Sequence, residues 1–91
     1  MLRKAVFLDR DGVINRDSPD YIKRLEEFEF LPGSLDALRR LAERGVACIV
    51  ITNQSAPARG LMTFEALDAI HRRLCAAVAE AGGRILDIFI C

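Results

Sequence analysis

Hydrophobic and polar positions follow two rhythms along this chain. Ala5 to Leu8 (AVFL) and Val46 to Ile51 (VACIVI) are short apolar runs without polar alternation. That is the pattern of strands buried on both faces of a parallel sheet. Ile85 to Ile90 (ILDIFI) reads as a third strand. Between them the period lengthens. Leu35, Leu38, Leu41 and Ala42 share one helical stripe, with Arg39, Arg40, Glu43 and Arg44 turned outward. Ser34 is the expected N-cap of this helix, basic residues in its last turn suit the dipole, and Gly45 ends it. A longer helix is expected from Phe64 to about Ala81, capped by Thr63. Phe64, Leu67, Ile70, Leu74, Cys75 and Val78 keep its period, and Gly82-Gly83 stops it. Strands alternating with helices predict an α/β fold with neighbouring parallel strands and right-handed crossovers.

The chemistry sits where the strands end. Asp9 and Asp11 follow the first run, separated by Arg10 and followed by Gly12, which permits a sharp turn. On an extended chain residues two apart point the same way, so both carboxylates leave the strand on one side. Like charges so placed share a proton or hold a cation, and oxygen ligands suit Mg²⁺. The alternatives are a solvated acidic turn and a calcium loop. The second fails on spacing, because the required Gly position falls on Ile14 and a strand leads in. Thr52-Asn53-Gln54-Ser55 follows the second strand, at the sheet end where open parallel sheets bind ligands, and so faces Asp9 and Asp11. A hydroxyl, two amides and nearby backbone N–H groups suit the oxygens of a phosphoryl group. Arg59, in the next loop, offers a bidentate grip on phosphate.

Arg16 to Phe30 is polar, charged and aperiodic, long for a connection, and its size suits a lid or binding loop. His71 stands beside Arg72 and Arg73 and is expected at the surface or boundary rather than in catalysis, and Cys48 is expected in the core. The 91 residues are read as one partial domain, 1–91, with 16–30 as its substrate-side loop. Thirteen basic residues balance thirteen acidic ones, which gives no general affinity for nucleic acid or anionic membrane. No run approaches the ~20 apolar residues of a membrane span. The apolar run after Arg3 and Lys4 stops at Asp9, unlike a signal peptide. Three cysteines without close spacing (Cys48, Cys75 and Cys91) fit reduced thiols in a cytoplasm.

Taken together, FLDRDGVIN at Phe7–Asn15, FEFLPG at Phe28–Gly33, ITNQS at Ile51–Ser55, ARG at Ala58–Gly60 and DIFIC at Asp87–Cys91 resemble the haloacid dehalogenase superfamily of phosphotransferases. Within it they are similar to the branch of the heptose 1,7-bisphosphate 7-phosphatases and histidinol phosphatases. Val13-Ile14-Asn15 and Ala58-Arg59-Gly60 favour the heptose enzymes. The resemblance implies a Rossmann-like three-layer parallel sheet, here reduced to about three strands and two helices. It implies Asp9 as nucleophile forming an aspartyl-phosphate, and Asp11 as general acid and then base. Mg²⁺ would be held by Asp9 and Asp11, the latter through its backbone carbonyl. Thr52 and Asn53 would bind the phosphoryl group of a sugar phosphate, with Gln54, Asn15 and Arg59 on the substrate side. The family usually has Gly at the position of Ala56, which raises the question of restricted backbone there.

The resemblance ends with the family's pattern half complete. A basic phosphate ligand, another acidic Mg²⁺ ligand and most of a Cys/His zinc loop normally follow. Cys91 matches the first zinc cysteine, and a single thiol does not make a four-ligand site, so Zn²⁺ is not expected in this chain. The alternative function is a catalytically incompetent domain that serves as an interaction module or complemented subunit. Without later strands, Ala5–Leu8 would form an exposed apolar edge, so self-association is expected.

Overall fold

The computed structural model describes residues 4–91. Three strands, β1 (Lys4–Leu8), β2 (Val46–Thr52) and β3 (Ile85–Ile90), form one parallel sheet in the order β1-β2-β3. Helices α1 (Ser34–Glu43) and α2 (Phe64–Glu80) supply the two crossovers. The strands and the second helix therefore lie where the apolar runs and the helical period put them.

Strand register explains the layering. Val6 pairs with Cys48 and Leu8 with Val50, and all four turn toward a core that includes Leu38 of α1 and Leu74 and Val78 of α2. The two helices touch each other, so both cover the same face of the sheet. Alternation sends Ala5, Phe7, Ile51 and Phe89 to the opposite face. There Phe7 is 64% exposed, Phe89 52% and Ile51 39%. This corrects the expectation that β1 is buried on both faces. An apolar run resembles a doubly covered strand whether or not a second layer of helices is present. Of the three expected layers, the described residues supply two.

Two helix details also differ. Gly33, at φ +85°, occupies the N-cap of α1, and Ser34 lies inside the helix with its buried Oγ unpartnered among the described residues. Phe64 is 63% exposed rather than on the core stripe of α2, whose buried positions are Leu67, Ile70, His71, Leu74 and Val78. The cap of α2 is as expected: Thr63 Oγ1 accepts from the Ala66 N–H at 3.0 Å. Gly83 packs so closely that a Cβ there would lie 2.8 Å from Val78 Cγ1 and 3.1 Å from Leu38 Cβ.

Candidate active site

The chain turns tightly after β1. Gly12 adopts φ +83°, and the N–H groups of Val13, Ile14 and Asn15 all converge on the Arg10 carbonyl at 2.8–3.2 Å. Asn15 then pairs with Phe30, the Arg16 N–H donates to the Glu29 carbonyl, and the Leu31 N–H donates to Ile14. The long 16–30 excursion is thus clamped at its base like an Ω-loop. It carries one short 3-10 turn, Leu25–Glu27, and buries Ile22. Tyr21 sits at φ +66°, a conformation L side chains rarely adopt outside functional or tightly determined positions.

Beyond the carboxyl ends of β1 and β2 lies a cavity of about 340 Å³. Asp9, Asp11, Thr52, Asn53, Gln54 and Ser55 line one side, and Asp17, Ser18, Tyr21 and Ile22 of the 16–30 loop line the other. The two sequence motifs, 43 positions apart at Asp11 and Gln54, are in direct contact: Gln54 Nε2 donates to Asp11 Oδ2 and to Thr52 Oγ1, both at 2.8 Å. Asn15 is fully buried and does not line the cavity. Its Nδ2 donates to Asp11 Oδ1 at 2.9 Å. Arg59 is exposed in the turn after Ser55 and is not among the cavity-lining residues. Ala56 is fully buried without positive φ, so alanine meets no backbone conflict there. Cys91 is a free, exposed thiol whose N–H donates to the Thr52 carbonyl, which places it at the same end of the sheet.

Asp9 and Asp11 sit in different surroundings. Asp9 is exposed at the strand end. Asp11 is ringed by donors: Asn15, Gln54, and Arg10 through Nη2 at 2.7 Å and Nε at 3.2 Å. Burial pushes its pKa up, but the bonds from Asn15 and Arg10 outweigh this and hold it below the usual carboxylate value.

Sequence reasoning missed the groups behind Asp11. Arg10 is fully buried, with its guanidinium carbon 5.7 Å from the centroid of the Phe28 ring. Its Nη1 lies 3.1 Å from His71 Nε2. His71 is only 6% exposed, deeper than the surface or boundary position expected of it. Burial and then the Arg10 charge push its pKa down to about 4, against smaller opposing effects of Asp11 and Asp68. The signal was available: His71 stands four residues after Leu67 and three before Leu74, on the buried stripe of α2. The flanking arginines obscured it.

The donor set suits a hard cation. Carboxylates of Asp9, Asp11 and Asp17 and the amide of Asn53 surround one polar space. Among the described residues no group of three or more His, Cys, Asp or Glu side chains is arranged to hold a metal by itself. Mg²⁺ in general keeps several waters and binds through one or two carboxylates plus substrate phosphate.

No family model matches the chain. Over 88 residues it is 51% identical to the D-glycero-beta-D-manno-heptose-1,7-bisphosphate 7-phosphatase of Pseudomonas putida, which covers 97% of this chain and 50% of that protein. The solved D,D-heptose 1,7-bisphosphate phosphatase from B. bronchiseptica, complexed with magnesium and phosphate, superposes with a TM-score of 0.94 at 44% identity. That match covers 98% of this chain and 50% of the other. A solved HAD-like protein from Mesorhizobium loti superposes at 0.83 with 33% identity, over 99% of this chain and 42% of the other. The chain spans about half the length of the curated relatives it matches.

Proposed function

For a chain that shares the fold of the haloacid dehalogenase-like phosphatases, we propose the role of the nucleophile-bearing part of a Mg²⁺-dependent phosphomonoesterase. Its substrate is a sugar phosphate, heptose 1,7-bisphosphate losing its 7-phosphate, and its setting is the cytoplasm. One observation carries this reading: Asp9 and Asp11 open into the same cavity as Thr52 and Asn53, at the carboxyl ends of neighbouring parallel strands. Asp9 Oδ attacks phosphorus and the bond to the sugar oxygen breaks, leaving an aspartyl-phosphate. Asp11 gives the departing oxygen its proton, then takes one from the water that hydrolyses the aspartyl-phosphate. The lowered pKa of Asp11 suits the second step. Thr52 and Asn53 hold the phosphoryl oxygens. Gln54 and Asn15 hold Asp11, while Tyr21 and Ser18 on the 16–30 loop, with Arg59 outside, meet the rest of the substrate. Asp9 and the Asp11 backbone carbonyl would hold Mg²⁺, which would supply charge neutralisation at the phosphoryl group.

The test is turnover of heptose bisphosphate, with histidinol phosphate as the competing substrate, and acid-stable trapping of phosphate on the protein. In any active form, longer or complemented, Asp9→Asn is expected to abolish both turnover and trapping. Turnover that survives in this variant refutes the assignment.

Cys91 offers zinc a single thiol, so far less than one zinc per chain is expected by metal analysis of the purified protein.

We also propose that a second copy of the chain pairs along β1. Among the described residues β1 bonds to β2 alone, and the adjoining bare face carries Phe7, Ile51 and Phe89. Unpaired backbone beside exposed apolar surface is a template for strand pairing. Light scattering over a dilution series should show dimers or larger species. A monomer at every concentration overturns this, and with it the alternative role as a self-associating module.

A further inference from the structure

The two carboxylates of the site are separated by a residue that alternation turns inward, and that residue is an arginine with no exposed surface. A buried cation costs several kcal/mol unless its donors are matched, so its partners are informative. Arg10 Nε and Nη2 both bond Asp11 Oδ1, Nη1 meets His71 Nε2, and Phe28 lies against the guanidinium. Arginine only donates, so His71 Nε2 must accept. The imidazole is therefore neutral with its hydrogen on Nδ1.

We propose that His71 and Arg10 form a buried strut that positions the Asp11 carboxylate from α2, 61 positions away in sequence, and that Asp11 Oδ2 is the working oxygen of the site. Oδ1 already receives Arg10 twice and Asn15 Nδ2 once. Among the described residues Oδ2 receives only the Gln54 amide, itself a cavity-lining group. The strut keeps the carboxylate from rotating, so the same oxygen gives the proton in one step and takes it back in the next. His71 and Arg10 are positioning residues, since neither lines the cavity. The inference rests on the phosphatase reading for the role of Asp11, and on geometry alone for the strut.

The test is NMR of the isotopically labelled full chain, compared with His71→Leu and His71→Gln. Leucine keeps the apolar bulk and removes the acceptor, whereas glutamine places an amide oxygen close to the position of Nε2. In the wild type, the ring nitrogens should report the neutral Nδ1–H tautomer at pH 7, with slowly exchanging Arg10 guanidinium protons. H71L should shift the side-chain amide signals of Asn15 and Gln54, which touch Asp11, and speed exchange at Arg10. H71Q should restore them. With heptose bisphosphate, H71L should lower kcat about tenfold, as outer-layer residues commonly do, with KM little changed and partial recovery in H71Q. A charged ring or an Nε2–H tautomer in the wild type overturns the strut without any variant. So does a folded H71L with unaltered Asn15 and Gln54 amides, or an H71Q no better than H71L. If neither the chain nor a longer or complemented form turns over heptose bisphosphate, the phosphatase reading falls, while the ring and amide signals still decide the strut.

Discussion

The two faces of the sheet present opposite solutions to the same apolar strands. Under the helices, Cys48, Val50, Leu74 and Val78 are buried to within 1% of complete exclusion. On the other face Phe7, Ile51 and Phe89, each next in its own strand to a core-facing residue (Leu8, Val50 and Ile88), are exposed. Apolar area is worth about 25 cal/mol per Å² when covered, so the covered face holds the fold together and the bare face contributes little to a monomer. The functional end of the sheet follows this division. Its polar network is anchored from the covered side, through Arg10 and His71, while Asp9 and the cavity open at the strand ends.

Three experiments break or sharpen this contrast. The largest effect belongs to the covered face: Leu74→Ala should destabilise the chain by about 2–5 kcal/mol through an unfilled cavity. Phe7→Ser on the bare face should change monomer stability by only about 0.5 kcal/mol, as surface changes do, while weakening the proposed pairing of two copies. Urea melts at low concentration with light scattering compare the two. Equal losses would mean that the bare face is covered in solution.

The second effect is a pH dependence that originates on the covered face. His71 is held at about 4 in the folded chain against an ordinary 6.5. Between those values the unfolded chain binds the proton and the folded one does not. The stability is therefore complete above about pH 6.5 and is lost as pH falls toward 4. The loss amounts to roughly 3 kcal/mol at most. Asp11, with its lowered pKa, adds to the loss in the same direction at still lower pH. Arg10, Asp11 and Asp68 are the charges that act on His71. Melts of wild type and H71Q across pH 4–7 test this. A variant as steep as wild type would place the dependence elsewhere.

The smallest effect tests whether α2, which carries His71, is secured locally. Thr63→Ala removes the acceptor for the Ala66 N–H and should cost about 1 kcal/mol, with Thr63→Ser retaining most of it. Loss of the same size in both variants would assign the effect to packing rather than the cap.

Much of this was legible from neighbours in sequence. The apolar runs located all three strands, the 3.6-residue period located α2, Thr63 announced its cap, and the strand-end positions of Asp9, Asp11 and Thr52 brought them to one cavity. These features depend on local period and on the rule that parallel strands gather their carboxyl ends. Tertiary structure alone decided what lay across the fold. Hydrophobicity marks a residue as fit for burial without saying whether a layer exists to cover it, so Phe7 and Cys48 looked alike until the helices were seen on one face. Charge marks Arg10 and His71 as fit for water. Arg10 is buried with its donors taken up by Asp11 and, 61 positions away, by His71, which in turn has Arg10 as its buried partner.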